Sequence, residues 1–156
     1  FIGVGQSFHG AKKSACSMSS LGKPSFYVHA TEALHGDMGL ITHDDIVIFC
    51  SSSGETKEVL NILPQIRAIG SKTIAVVSKK GSSLAAATDF NITTGVEEEA
   101  GPIKFAPSSS ALAMISLLDA MVMSIATSIG FTEKDYLQYH PAGDIGKRLS
   151  EKIAKH

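Results

Sequence analysis

The chain has 156 residues, enough for one domain with a sizeable core and too few for two large ones. Hydrophobic residues make up 44% and charged residues 19%, which excludes global disorder. Fourteen Lys and Arg against fifteen Asp and Glu give a net charge of −1, which lacks the cationic excess that nucleic-acid or anionic-membrane binding rests on.

Two cysteines, Cys16 and Cys50, make neither a disulfide scaffold nor a zinc pattern and fit a reducing compartment. The chain opens at Phe1 without Met and enters an apolar run at once. It reads as a piece whose upstream part is absent, and no signal-peptide pattern is present.

The first predicted strand, Phe1–Val4, runs into Gly3-Val4-Gly5-Gln6-Ser7. A dinucleotide fingerprint would need Gly at position 8, which is Phe8, and an acidic residue near Lys23-Pro24. A nicotinamide cofactor is therefore excluded, and a tight turn presenting Ser7 to a ligand is expected. A helix follows over His9–Leu21, and a strand over Ser25–His29. Further strands are predicted at Asp45–Cys50, Lys72–Ser78 and Phe90–Thr93, with helices at Thr56–Ile69 and Ser82–Ala87.

In the Thr56–Ile69 helix, Val59, Leu60, Leu63 and Ile66 form one apolar face. Continuous apolar strands alternating with such helices imply a doubly wound parallel sheet covered on both faces. Beyond Ser108 the pattern is helical only: Ser108–Ser110 can cap a long helix, and Gly130 fits its stop. The stretch Ala111–Ile129 approaches membrane-spanning length, but Asp119 and several hydroxyls inside it favour a buried helix. It is apolar nearly all round, so cover from a second subunit is expected.

The strongest local signal is the turn Ser51-Ser52-Ser53-Gly54-Glu55-Thr56 between a strand and a helix. Hydroxyls, backbone N–H groups and the positive end of a helix suit a phosphate held without Lys or Arg. Its place beyond a strand's carboxyl end, where open sheets bind ligands, favours that reading over a plain N-cap. Glu97-Glu98-Glu99, leading to Ala100-Gly101-Pro102, also follows a strand end, where ligand loops lie. Among the histidines, His29, His35 and His140 sit in distinctive surroundings, whereas His9, His43 and His156 read as ordinary surface or core residues.

Taken in order, Gly-Val-Gly-x-Ser, Glu-Ala-Leu-His-Gly-Asp, Ser-x-Ser-Gly-Glu-Thr, Glu-Ala-x-Pro, Ala-Pro-x-Ser-Ser and His-Pro-x-Gly resemble the sugar isomerase (SIS) domain, and most closely its arabinose 5-phosphate isomerases. The resemblance covers almost the whole chain, and it implies a single SIS domain over residues 1–156 with a five-stranded parallel sheet. It also implies a cytoplasmic enzyme, usually a tetramer, with sites near subunit boundaries. The implied reaction interconverts ribulose 5-phosphate and arabinose 5-phosphate on the route to the eight-carbon acid Kdo.

Position by position, the resemblance makes Ser51, Ser53 and Thr56 the phosphate cradle, with Ser52 and Ser7 beside them. Gly22, Lys23, His29 and His35 become substrate-side contacts. Glu58, Glu99 and His140 become the catalytic groups, and His29 also matches a place where relatives can hold a metal that the reaction does not need. Gln6 stands where relatives usually have Lys, and Phe8 where they have Gly. A neutral amide in place of a charge is expected to weaken stabilisation of an enediolate, and Phe8 to add bulk near the site mouth.

Aldose–ketose isomerisation needs ring opening, proton transfer between C1 and C2, and enediolate stabilisation. Glu99 is the first choice of base and Glu58 the second, with His140 suited to ring opening and no cofactor required. The rival reading is a sugar-phosphate sensor, or an isomerase for another sugar phosphate. Gln6 favours the sensor, and the retained Glu58, Glu99 and His140 favour the enzyme.

Overall fold

The computed structural model describes residues 1–155. Five strands form one parallel sheet: β1 (Ile2–Gly3), β2 (Val28–His29), β3 (Ile46–Cys50), β4 (Lys72–Val77) and β5 (Phe90–Thr93), in the order β2-β1-β3-β4-β5. Every neighbouring pair runs parallel, so each connection must cross over a face of the sheet. The helices that do so are α1 (Gly5–Ser20), α2 (Ala30–Ala33), α3 (Lys57–Ile69) and α4 (Ser83–Ala87). Then come α5 (Ser109–Ser128), α6 (Glu133–Tyr139) and α7 (Gly143–Ile153). This is the doubly wound five-stranded sheet that the alternation of strands and helices implies.

Strand alternation divides the core in two. Val47 and Phe49 of β3 with Ala75 and Val77 of β4 point to one face, where Val59, Ile62, Leu63 and Ile66 of α3 cover them. Ile48 and Cys50, with Val76, point to the other, under Ala11 of α1 and Met114 and Leu118 of α5. Both faces of β3 and β4 are therefore buried over most of their length, and the sequences read as apolar runs, Ile46–Cys50 in β3 and, after Lys72 and Thr73, residues 74–77 in β4. Burial also pushes the Cys50 thiol up to about 12.

Several boundaries differ from the sequence-based expectation. The strand predicted over Ser25–His29 shrinks to Val28–His29, because Phe26 and Tyr27 stay exposed at the edge of the sheet. The first helix begins at Gly5 rather than His9, so Gln6 and Ser7 lie on its first turn and not in a free turn. Helix α2 has only four residues and leaves no periodic signal.

The long helix α5 is buried along one face and exposes the face for which cover from a second subunit is expected. Only the stripe Ser110, Met114, Leu118, Val122 and Ala126 is buried, while Leu112 and Met123 are 68% and 52% exposed. It packs along α1, where Gly10 lets Ile115 approach closely and Lys13 pairs with Asp119. The expectation of a buried helix thus holds for one face only. α5 is also long and apolar enough to cross a membrane by length and composition, but its buried stripe is seated on the sheet.

Candidate functional site

Strand order reverses between β1 and β3, with β2 on one side of β1 and β4 beyond β3. That is the switch point at which open parallel sheets leave a crevice beyond their carboxyl ends. A cleft of about 430 Å³ lies there, a volume suited to one small ligand. Residues from the ends of four strands converge on it: Gln6 and Ser7 after β1, Ser52, Ser53 and Thr56 after β3, Ser78 and Lys79 after β4, and Val96 to Glu99 after β5.

The 51–56 turn builds the floor. Gly54 has φ +67°, and a Cβ there would meet Ser82 Oγ at 2.1 Å, so both its conformation and its surroundings require glycine. The Gly54 N–H donates to Ser51 Oγ at 3.1 Å, and the Ser51 and Thr56 hydroxyls share a hydrogen bond of 2.9 Å. Ser51 itself is 2% exposed. It braces the turn from beneath and does not line the cleft.

Ser53 Oγ accepts from the Glu55 N–H at 3.1 Å, and Glu55 accepts from the Ser83 N–H at 2.8 Å, tying the turn to the start of α4. The bonds from Ser83 hold the Glu55 carboxyl below its ordinary range. Thr56 is the N-cap of α3, but its side chain makes no capping bond to the helix. The thirteen-residue α3 therefore begins at the cleft with its first N–H groups uncapped by Thr56, beside the hydroxyls of Ser52, Ser53 and Thr56.

Glu99 also lines the cleft, in a different state. Its carboxylate accepts from the Ser108 N–H at 2.8 Å, the Ser108 hydroxyl at 3.0 Å and the Ser110 N–H at 3.1 Å, as well as from the Ser110 hydroxyl. These bonds, led by Ser110, pull its pKa down to about 2. Glu99 thus caps α5 from across the preceding loop. Ser108, expected to cap with its own side chain, makes no such bond. A carboxylate so well satisfied is a weak base as the cleft stands.

Of the residues singled out in the sequence, the cleft gathers Gln6, Ser7, Ser52, Ser53, Thr56 and Glu99. Glu58 is exposed on the first turn of α3, two positions beyond Thr56, and is not among the lining residues. His29 ends β2, where its Nδ1 accepts from the Thr31 N–H at 3.3 Å and its ring packs edge-on against Phe8 at 4.9 Å. With Nδ1 accepting, a neutral ring carries its hydrogen on Nε2 and offers no lone pair there. Among the described residues of one chain no three His, Cys, Asp or Glu gather to hold a metal, at His29 or elsewhere. Phe8 packs on His29 and Tyr27 rather than into the cleft. His35 is exposed in the turn after α2.

The remaining three, Gly22, Lys23 and His140, lie apart from the cleft. Gly22 follows α1 with φ +82°, and a Cβ there would overlap the Phe131 ring at 2.6 Å. Phe131 meets Tyr136 edge-on, and Tyr136 stacks on His140 at 3.9 Å. His140 Nδ1 donates to the Tyr136 carbonyl at 3.0 Å, which leaves Nε2 as the acceptor. Lys23 borders another hollow, formed with Phe1 and Ile46 at the amino ends of the strands. The chain thus presents two separated groups of the predicted residues.

Among the cleft residues that escaped the sequence reading are Ser78, Lys79, Lys104 and Phe105. The first two follow a strand that the sequence does reveal, so applying the carboxyl-end rule to every strand finds them. Lys104 and Phe105 belong to the loop before α5, and nothing in their local pattern marks them.

The SIS domain family model matches residues 1–124. The chain is 41% identical to arabinose 5-phosphate isomerase KdsD of Pseudomonas aeruginosa over 97% of its own length and 47% of that protein's. It is 37% identical to the KdsD of Escherichia coli K12 over 95% of its length and 45% of that protein's. The chain therefore spans about half the length of these curated relatives. A solved structure from E. coli CFT073, in complex with arabinose 5-phosphate, superposes with a TM-score of 0.88 at 41% identity, covering 90% of this chain and 75% of the other.

Proposed function

The chain belongs to the SIS domain family, and from that premise we propose that its cleft binds a sugar phosphate and interconverts the aldose and ketose forms. The substrate pair of this reading is ribulose 5-phosphate and arabinose 5-phosphate. One observation carries it: the N-terminus of α3 opens on the switch-point cleft beside the hydroxyls of Ser52, Ser53 and Thr56. Backbone N–H groups, hydroxyls and the helix dipole together suit a phosphate dianion. The likeness to named arabinose 5-phosphate isomerases, and to a structure holding arabinose 5-phosphate, supports the choice of sugar.

In this reading Ser53 and Thr56 hold the phosphate, and Ser7 and Gln6 face the carbon chain from the first turn of α1. Glu99 moves the proton between C1 and C2. Because its pKa of about 2 comes from its serine bonds, substrate entry must loosen the Ser110 contact before it acts as a base. Glu58 is the second carboxylate, at the rim. Gln6 offers an amide donor to the enediolate oxygen, a weaker stabiliser than a cation. No step calls for a metal or an organic cofactor.

His140 opens the sugar ring through Nε2, and it reaches a cleft only from another copy. Its separation from its own cleft, shared with Gly22 and Lys23, supports an oligomer in which the far group of one subunit completes the cleft of the next. The exposed apolar side of α5, with Leu112 and Met123, supports the same arrangement. One SIS domain over residues 1–156, a cytoplasmic setting and service to Kdo synthesis complete the proposal. The free thiols Cys16 and Cys50 are consistent with a reducing compartment.

A sugar-phosphate sensor is the second reading, favoured by the ionised, fully bonded Glu99. Incubation with five- and six-carbon sugar phosphates in deuterated water separates the two. Deuterium entering the carbon next to the carbonyl supports the isomerase. Tight binding without exchange supports the sensor, and absence of binding removes both.

A further inference from the structure

We propose that Lys104 is a ligand-contacting cation of the cleft, held by Glu98 until an anionic ligand displaces that carboxylate. The inference rests on the sugar-phosphate reading and adds to it a residue that its local sequence does not reveal.

The charge balance of the cleft is the starting point. Its lining carries two lysines, Lys79 and Lys104, and three glutamates, Glu97, Glu98 and Glu99. A dianionic phosphate entering such a lining meets net negative charge unless a cation is freed for it. The negative charge of Glu99 is spent on the N-terminus of α5. That leaves the Lys104–Glu98 pair, Nζ to Oε1 at 3.2 Å, with both partners on the cleft wall.

The pair is built to exchange. The side chains are 49% and 64% exposed, and ion pairs of that exposure contribute little to stability. Replacing a single carboxylate by a phosphate dianion therefore costs Lys104 little and gains it a stronger partner. The backbone carrying Lys104 is anchored at its base, since the Ala100 N–H donates to Ser108 Oγ at 2.9 Å and Ser108 donates in turn to Glu99. The lysine head moves while the loop ends stay in place. Lys79, which lines the cleft after β4, has no ion pair among the described residues and serves as the comparison.

The two partners of the pair should respond with opposite signs, which a merely structural ion pair does not do. Isothermal titration of the full chain with arabinose 5-phosphate, at two salt concentrations, reads this directly. Lys104→Gln is expected to weaken binding about tenfold, the worth of one charge-assisted hydrogen bond, and to flatten the salt dependence. Glu98→Gln is expected to tighten binding by about two- to threefold by removing the competitor. Lys79→Gln should change it less than Lys104→Gln does.

If the unmodified chain binds and both partner variants weaken it alike, the pair is structural and the inference is overturned. Binding unaffected by Lys104→Gln, or lost chiefly in Lys79→Gln, also overturns it while leaving the sugar-phosphate reading intact. If the unmodified chain binds neither arabinose 5-phosphate nor inorganic phosphate, that reading falls and Lys104 loses its role with it.

Discussion

Two helices begin at the same cleft and treat their first turns in opposite ways. α3 starts behind Thr56, whose hydroxyl is turned to Ser51, so its N-terminal donors are left to the cleft. α5 starts behind Ser108, and Glu99 fills its N-terminus with a carboxylate from the same chain. Both N-termini carry the same partial positive charge and attract the same kind of partner. One already holds an internal anion, and under the proposed function the other takes an external one. A serine-rich helix start marks a ligand site only when nothing else in the fold has filled it.

The largest effect should come from closing the open terminus. Gly54→Ala places a methyl on a residue with φ +67° and drives it against Ser82, so the turn must rearrange. We expect sugar-phosphate binding to disappear in a titration and stability to fall by roughly 2–4 kcal/mol in urea unfolding, typical of strain at a position that requires glycine. Unchanged binding would mean that the ligand does not use this turn.

Gln6→Lys asks whether a cation lining the cleft, on the first turn of α1, limits the chemistry. If the proton-transfer groups are in place, isomerase activity in a coupled assay should rise, by up to about 10²-fold. Lower activity on a sugar that the unmodified protein already converts would assign Gln6 to a site tuned to another substrate.

Ser53→Ala and Thr56→Ala sharpen the comparison on the α3 side. Each should weaken sugar-phosphate binding by about 1–3 kcal/mol, the cost of a lost hydrogen bond to a charged group. The unphosphorylated sugar should bind poorly throughout. Equal affinity for both sugars would move the phosphate away from α3.

On the α5 side, Glu99→Gln should lower the melting temperature at neutral pH, with a defined pH dependence. The folded pKa of about 2 lies below the ordinary 4.5, so the native state favours the ionised carboxylate. Its stabilisation is fully present above about pH 4.5, shrinks as pH falls towards 2 and is gone below that. The gap in melting temperature between the two proteins should close over that interval. A gap that is independent of pH would show that Glu99 does not cap α5 as an anion.

Much of this is legible in the sequence, for reasons that also explain the failures. β3 and β4 announce themselves because both faces are buried, and α3 because only one is. The 51–56 turn is readable because its glycine, hydroxyls and helix start are adjacent in the chain. The cap on α5 is not, since its acceptor lies across a loop and acts through the tertiary fold, leaving Ser108 as the nearest local candidate. The neighbours of Phe8 in the chain point it at the site mouth, yet its ring turns to Tyr27 and His29. α2 escapes because four residues carry no period. Gly22, Lys23 and His140 rest on resemblance, and the fold of one chain sets them apart from the cleft residues grouped with them.

The placement of Cys50 has a practical consequence. Burial pushes the Cys50 thiol up to about 12, which keeps it protonated at pH 7, and the side chain is fully buried between β3 and the helices α1 and α5. Cys16 is the other free cysteine, exposed on α1. A maleimide dye added to the native protein should therefore attach at one position without any mutagenesis. That supplies a ready fluorescent handle on the helix whose first turn borders the cleft.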